Sequence, residues 1–166
     1  DALAVIAGEG TTEGLARVNA ASALVNQRVF HVAHDTLLQG RIPAIVGGDH
    51  SVPFGLIRAV SERYPGVGIL HIDAHADLRE AYEGFTWSHA SIFHNVLSRL
   101  PGVARVVQVG LRDVGAGEIA FARAQGDRVR WFTDPDIAAI PWADTVAAII
   151  ATLPETVYLS FDMDGL

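Results

Sequence analysis

The chain has 166 residues, 50% of them hydrophobic, which suits one domain with a sizeable core. A formal net charge of −7 argues against the basic footprint of a nucleic-acid binder, and no run approaches the roughly 18 apolar residues of a membrane span. The absence of cysteine excludes disulfides and thiolate metal sites and fits a cytoplasmic protein.

Residues 1–10 are assigned to no element, and Asp1 to Val5 carry no basic signal-peptide start. From Thr12 to Gln39 the pattern is helical: Val18, Ala21, Val25, Val29, Val32 and Thr36 recur every three or four residues and mark the expected buried face. Gly40 and Pro43 stop that helix. Ile42 to Val46 reads as a strand, Val52 to Tyr64 as a helix stopped by Pro65-Gly66, and Val67 to Ile72 as a buried strand. Leu78 to Ser88 is a loop, and His89 to Leu100 a helix with Ser88 as its N-cap. Ala104 to Leu111 is the next strand, followed by a polar loop from Arg112 to Gly117 and a short helix from Glu118 to Gln125. Arg128 to Phe132 is a strand ending at Thr133-Asp134-Pro135. Asp144 to Leu153 is a helix and Thr156 to Phe161 the last strand. Strand and helix alternate, and the strands are almost wholly apolar. The pattern is that of an α/β protein whose parallel sheet carries helices on both faces.

Three strand-like runs end in potential metal ligands: His50 after Gly47-Gly48-Asp49; Asp73, His75 and Asp77 after Ile72; Asp162 and Asp164 after Phe161. In an extended chain residues two apart point to one side, so Asp73, His75 and Asp77 converge beyond the strand. Sites in parallel α/β sheets form outside the carboxyl ends of the strands. Uncompensated carboxylates there would repel one another and would be costly to dehydrate; a bound cation removes that cost. Four carboxylates and two imidazoles without sulfur suit manganese, iron or zinc, and the carboxylate excess favours manganese. Six ligands are too many for one open catalytic ion and suit two ions about 3.5–4 Å apart, a pairing that activates water and polarises a substrate. A hydrolase is the expectation.

Gly47-Gly48-Asp49-His50-Ser51, Asp73-Ala74-His75-Ala76-Asp77 and Ser160-Phe161-Asp162-Met163-Asp164-Gly165-Leu166 resemble the signature motifs of the ureohydrolases. That family comprises arginases, agmatinases, guanidinobutyrases and related guanidine-cleaving enzymes. The resemblance runs from about Ile42 to Leu166 and keeps the three motifs in order. It implies a three-layer α/β/α sandwich with a mostly parallel sheet, two Mn2+ ions, and hydrolysis of a small guanidino substrate to urea and an amine. It also implies a homo-oligomer, trimer or hexamer, and a single catalytic domain of which residues 1–166 are the central part, incomplete at both ends. Such a piece expressed alone is expected to be poorly soluble or inactive.

Carried across by motif, His50, Asp73, Asp77 and Asp162 would bind one ion and Asp73, His75, Asp162 and Asp164 the other, with Asp73 and Asp162 bridging. Asp49 and Ser51 are assigned turn and capping hydrogen bonds. His89, in Trp87-Ser88-His89, resembles a histidine of agmatinase-like members that shuttles a proton to the leaving amine; it is counted with Asp77 as catalytic. Trp87, Ser88, Gly115 and Glu118 are the expected substrate contacts. His71 is read as a core residue or a support behind the ligands, and His31, His34 and His94 as packing or surface residues.

The run Leu111-Arg112-Asp113-Val114-Gly115-Ala116-Gly117-Glu118 resembles an arginase loop but has Gly115 where arginases carry an aspartate that holds the substrate's α-amino group. The loop from Asp77 to His89 is more similar to agmatinases. Agmatine or another guanidine lacking the full amino-acid head is therefore the first choice of substrate and L-arginine the second. A single-zinc amide hydrolase of the deacetylase type and a non-catalytic homologue are the readings from other classes.

Overall fold

The computed structural model describes residues 3, 4, 7 and 10–166. Its centre is a four-stranded, all-parallel sheet in the order β3-β2-β1-β4, built from β1 (Val67–Ile72), β2 (Val103–Leu111), β3 (Val129–Thr133) and β4 (Val157–Phe161). Alternate residues of each strand serve opposite faces. Ile69, Val103 and Val106 pack on one face against Phe54 and Ile57 of α2 (Phe54–Arg63) and Phe93, Val96 and Leu97 of α3 (Ile92–Arg99). Leu70, Ile72, Val107 and Val109 pack on the other face against Ile137 of α5 (Asp134–Ala139) and Ile149 of α6 (Trp142–Thr152). α1 (Thr12–Leu38) lies outside α2, and α4 (Ala116–Ala124) adds Ala122 to the first face. This is the three-layer α/β/α arrangement expected from the alternation of strands and helices.

Four findings depart from the sequence reading. α1 buries Gly14, Asn26 and Ala33, while Val25 and Val32 stay 49% and 69% exposed. The reason is close helix approach: a Cβ on Gly55 of α2 would collide with the Asn26 carbonyl and the Phe30 amide, so α1 turns its Asn26 and Ala33 side inward. Ile42 to Val46 is not a strand, and Ile42 and Val46 are 95% and 99% exposed. A strand is defined by ladder partners, and this segment has none among the described residues; Ile45 instead packs on the cluster of Ala33, Leu56 and Ala59. Ser88 caps no backbone amide; its hydroxyl pairs with that of Ser91 at 2.8 Å, and His89–Ser91 forms a 3-10 turn ahead of α3. α5 is an additional helix, opened by a reciprocal capping box between Thr133 and Asp136 with Pro135 in its first turn.

β4 is the outer strand on one side. Its free edge faces an open cleft of about 470 Å3 lined by Ile42, Ile45, Val157 and Leu159 among others. Leu159 is 58% exposed, and unpaired apolar edges recruit strands from other molecules. Residues 1–166 expressed alone should therefore self-associate, and Leu159→Lys should shift the material toward monomer in analytical ultracentrifugation. An unchanged sedimentation profile would show that association uses another surface.

Candidate metal centre

The site grows out of the carboxyl end of β1. The strand stops at Ile72, but its ladder runs on by single hydrogen bonds: the Asp73 amide donates to the Val109 carbonyl at 3.1 Å, and the Asp162 amide to the Ile72 carbonyl at 2.9 Å. A neighbouring strand thus brings Asp162 beside Asp73. The turn after β4 presses in equally closely. A Cβ on Gly165 would lie 2.7 Å from the Asp73 nitrogen, so only glycine lets the Asp162–Asp164 turn reach β1. Asp164 is then tied to the loop, its Oδ1 accepting from the Ala74 amide at 3.2 Å.

Two ligand clusters share Asp73. In the first, His50 Nδ1 lies 2.9 Å from Asp73 Oδ2 and 3.0 Å from Asp77 Oδ2, and His71 stands with them. In the second, His75 Nδ1 lies 3.1 Å from Asp164 Oδ2 and 3.4 Å from Asp73 Oδ1. Five of the six side chains named from the motifs therefore fall in the two clusters; Asp162, expected to bridge, approaches His50 at 3.7 Å and belongs to neither. Asp162 stands farther from its neighbours than the rest, with Oδ1 turned back toward the Asp164 amide at 3.3 Å. Simple strand alternation does not bring Asp77 in. The chain leaves the extended conformation after Asp73 and reaches Asp77 in the left-handed region, at φ 54°. Aspartate tolerates that conformation better than most residues. The Asp77 carbonyl anchors the turn by accepting from the Phe93 amide at 3.0 Å.

The clustered charges reshape their own titration. Burial opposes charge on His50, but its hydrogen bonds to Asp73 and Asp77 outweigh that and raise its pKa to about 9. Burial also opposes charge on Asp73, yet hydrogen bonds from His50 and His71 hold its carboxyl well below the usual carboxylate range. Burial pushes Asp77 up and His71 down. An oxygen-rich set with two imidazole nitrogens turned toward the carboxylates fits a pair of divalent ions. His50 is oriented from behind, its Nε2 lying 2.8 Å from the Ser160 hydroxyl.

Beside the clusters is a cavity of about 190 Å3 lined by His75, Asp77, Arg79, Tyr82, His89, Ala90, Asp113 and Glu118. His89 stands there with its ring edge-on to Tyr82 at 5.5 Å. Glu118 forms part of the wall while its carboxylate accepts from the Leu78 and Gly115 amides, both at 2.9 Å. Three expected substrate contacts do not line this cavity. Trp87 packs half-buried against Phe54 at the edge of the core, with ring centroids 4.8 Å apart, where its large apolar surface is partly covered. Ser88 is engaged with Ser91, and Gly115 acts through its backbone on Glu118. Asp113, Arg79 and Tyr82 are wall residues that the motifs did not single out; the hint for Asp113 is its place just past the carboxyl end of β2. Asp49 accepts from the Ser51 amide at 2.9 Å, the turn role expected of it.

The raised pKa of His50 has a definite sign. Its protonated form is favoured in the folded state, so in metal-free protein its contribution to stability is complete below pH 6.5 and is lost as pH rises through about 9. Metal-free protein should lose stability to denaturant across that window, and His50→Gln should flatten the slope. A slope unchanged in His50→Gln would assign the dependence to another group.

The Arginase family model matches residues 8–166. The guanidinobutyrase of Pseudomonas aeruginosa is 32% identical over 158 residues, covering 90% of this chain and 48% of its own. The chain thus spans about half the length of that curated relative. Among solved structures, the arginase of Bacillus caldovelox superposes with a TM-score of 0.78 at 26% identity, covering 89% of this chain and 55% of that one. The agmatine ureohydrolase of Thermoplasma volcanium superposes with a TM-score of 0.73 at 27% identity, over 87% and 47% of the two chains. The motif order, the parallel sheet and the match along nearly the whole chain agree: the chain belongs to the arginase family.

Proposed function

We propose that the protein is a manganese-dependent hydrolase that cleaves the guanidinium group of agmatine, or of another guanidine lacking the full amino-acid head, to urea and an amine. One observation carries the reading. Asp77 and His75 belong to the two ligand clusters and also line the 190 Å3 cavity, so a small substrate seated there meets the metal-binding groups directly. The two ions, when bound, would supply the Lewis acidity that activates water for attack on the guanidine carbon. The carboxylate excess of the donor set favours manganese.

The remaining tasks fall to the chain's own side chains. Asp77, Asp113 and Glu118 make the cavity wall acidic, and the one arginine in it, Arg79, lies 3.7 Å from Glu118. That balance favours a guanidinium cation. His89 is assigned the proton delivered to the departing amine nitrogen, a task that suits an imidazole. Gly115 has no carboxylate to pair with an α-ammonium, which disfavours arginine. γ-Guanidinobutyrate is the second reading, supported by the similarity to a guanidinobutyrase and by the 47% exposed side chain of Arg79, which can face a substrate carboxylate.

Urea release by the full-length protein with manganese should be tested on agmatine, γ-guanidinobutyrate and arginine. The missing ion pair should cost arginine about 1–3 kcal/mol, roughly tenfold to a hundredfold in kcat/KM. Arginine as the best of the three would overturn the substrate reading.

The clusters themselves make a further demand. Asp73 is common to both, whereas His50 and His75 each belong to one. Asp73→Ala should therefore lose more manganese and more urea release than His50→Ala or His75→Ala. Equal losses in all three variants would remove the bridging role.

A further inference from the structure

Behind the ligands, a row of polar side chains runs across the sheet and takes no part in the chemistry assigned above. Trp131, Gln108 and His71 are register partners on β3, β2 and β1, and the last two are wholly buried. Apolar side chains fill most of that face, so the row is there at the expense of packing area.

Its hydrogen bonds can be oriented one by one from what each group is able to do. An indole N–H only donates, so Gln108 Oε1 accepts from Trp131 Nε1 at 2.7 Å. The Gln108 amide nitrogen is therefore at the other end, donating to the Ala76 carbonyl at 2.7 Å and reaching His71 Nδ1 at 2.9 Å. A carbonyl only accepts, so Ala76 fixes the amide orientation a second time. His71 Nδ1 must then accept and carries no proton. The ring's proton is left on Nε2, 2.8 Å from Asp73 Oδ2. Among the described residues no buried side-chain polar atom lacks a partner, so the row closes without a loose end.

We propose that Trp131, Gln108 and His71 form a positioning relay that locks His71 in its Nε2–H tautomer and so holds the Asp73 carboxylate in place for two ions. His71 is a positioning residue, acting on the metals only through Asp73. The rotation of that carboxylate decides whether its two oxygens can serve both clusters, and the relay ties this rotation to the rigid middle of the sheet. The metal part of the inference rests on the reading given under Proposed function; the tautomer does not.

The test begins with nitrogen NMR of the full-length, metal-free protein labelled at histidine. His71 should show an unprotonated Nδ1 and a protonated Nε2 whose hydrogen exchanges slowly, and Gln108→Met should turn that single tautomer into a mixture. Manganese affinity is then measured by calorimetry. His71→Phe keeps a ring but deletes the donor and should weaken binding roughly tenfold to a hundredfold. His71→Gln, which restores an N–H toward Asp73, should recover most of the loss. A proton on Nδ1 in the parent, or parental manganese affinity in His71→Phe, overturns the relay. A parent that itself binds no divalent ion overturns the metal reading instead, and the two failures are told apart because only the second appears in the unmodified protein. Should His71→Phe fail to fold, the parent's tautomer and the affinity of His71→Gln decide the matter.

Discussion

Asp73 is a buried carboxylate, and most of the site can be understood as the means of keeping it so. A dehydrated, unpaired carboxylate would cost several kcal/mol. Here Oδ2 sits between His50 and His71, at 2.9 Å and 2.8 Å, and Oδ1 accepts from the His75 amide at 2.7 Å. Each partner comes from a different piece of structure: the turn before α2, the body of β1, and the loop beyond it. Losing any one would leave charge stranded in the interior, so the acid couples the folding of all three. The same crowding makes the place suited to cations, because His50, which pairs with Asp73 in their absence, is itself a group expected to bind them.

The parallel sheet decides where this can happen. Over β1 and β2 its two faces are closed by helices, so the chain ends of the strands are where polar groups can gather without disrupting the core. Loops from β1 and β2 meet there: His75 bridges to Asp113 in parallel fashion, and the Arg112 and Asp113 amides both donate to the Ala74 carbonyl. Arg112 also reaches the Asp164 carbonyl, drawing the turn after β4 toward the same point. The cavity wall and the ligand clusters thus share one set of loops, and a substrate bound against the wall lies beside the ions by construction.

One ligand reaches the site without the support of the sheet. His50 follows a segment that makes no ladder, and it is held by side chains alone, through Ser160 and the carboxylates. The open cleft beside β4 separates that segment from the strand it runs along. His50 therefore depends on the charge balance of the site more than His75 does, which is consistent with its strongly raised pKa.

Local order in the chain was enough to foresee a good part of this. Val67 to Ile72, bounded by Pro65-Gly66 and by polar residues, is a strand with the same limits in the structure, and the alternation of apolar runs and helical periods gave the layered α/β architecture. The candidate ligands that cluster, His50, Asp73, His75, Asp77 and Asp164, could be named because each motif is a short stretch whose spacing survives folding. Other features needed the folded molecule, for reasons of one kind. Valines recur with helical period in α1, but the close approach at Gly55, on another helix, goes with Asn26 and Ala33 turned inward. Ile42 to Val46 has the composition of a strand, but pairing is a relation between segments and composition cannot supply the partner. Trp87 adjoins the catalytic candidate His89 in sequence yet packs against the core, away from the cavity. Gln108 looks like an anomaly in an apolar strand until Trp131 and His71 stand on either side of it. Propensity and motif spacing act over a few residues along the chain, whereas burial, strand pairing and hydrogen-bond satisfaction are settled between residues distant in sequence, and only the packed structure brings those together.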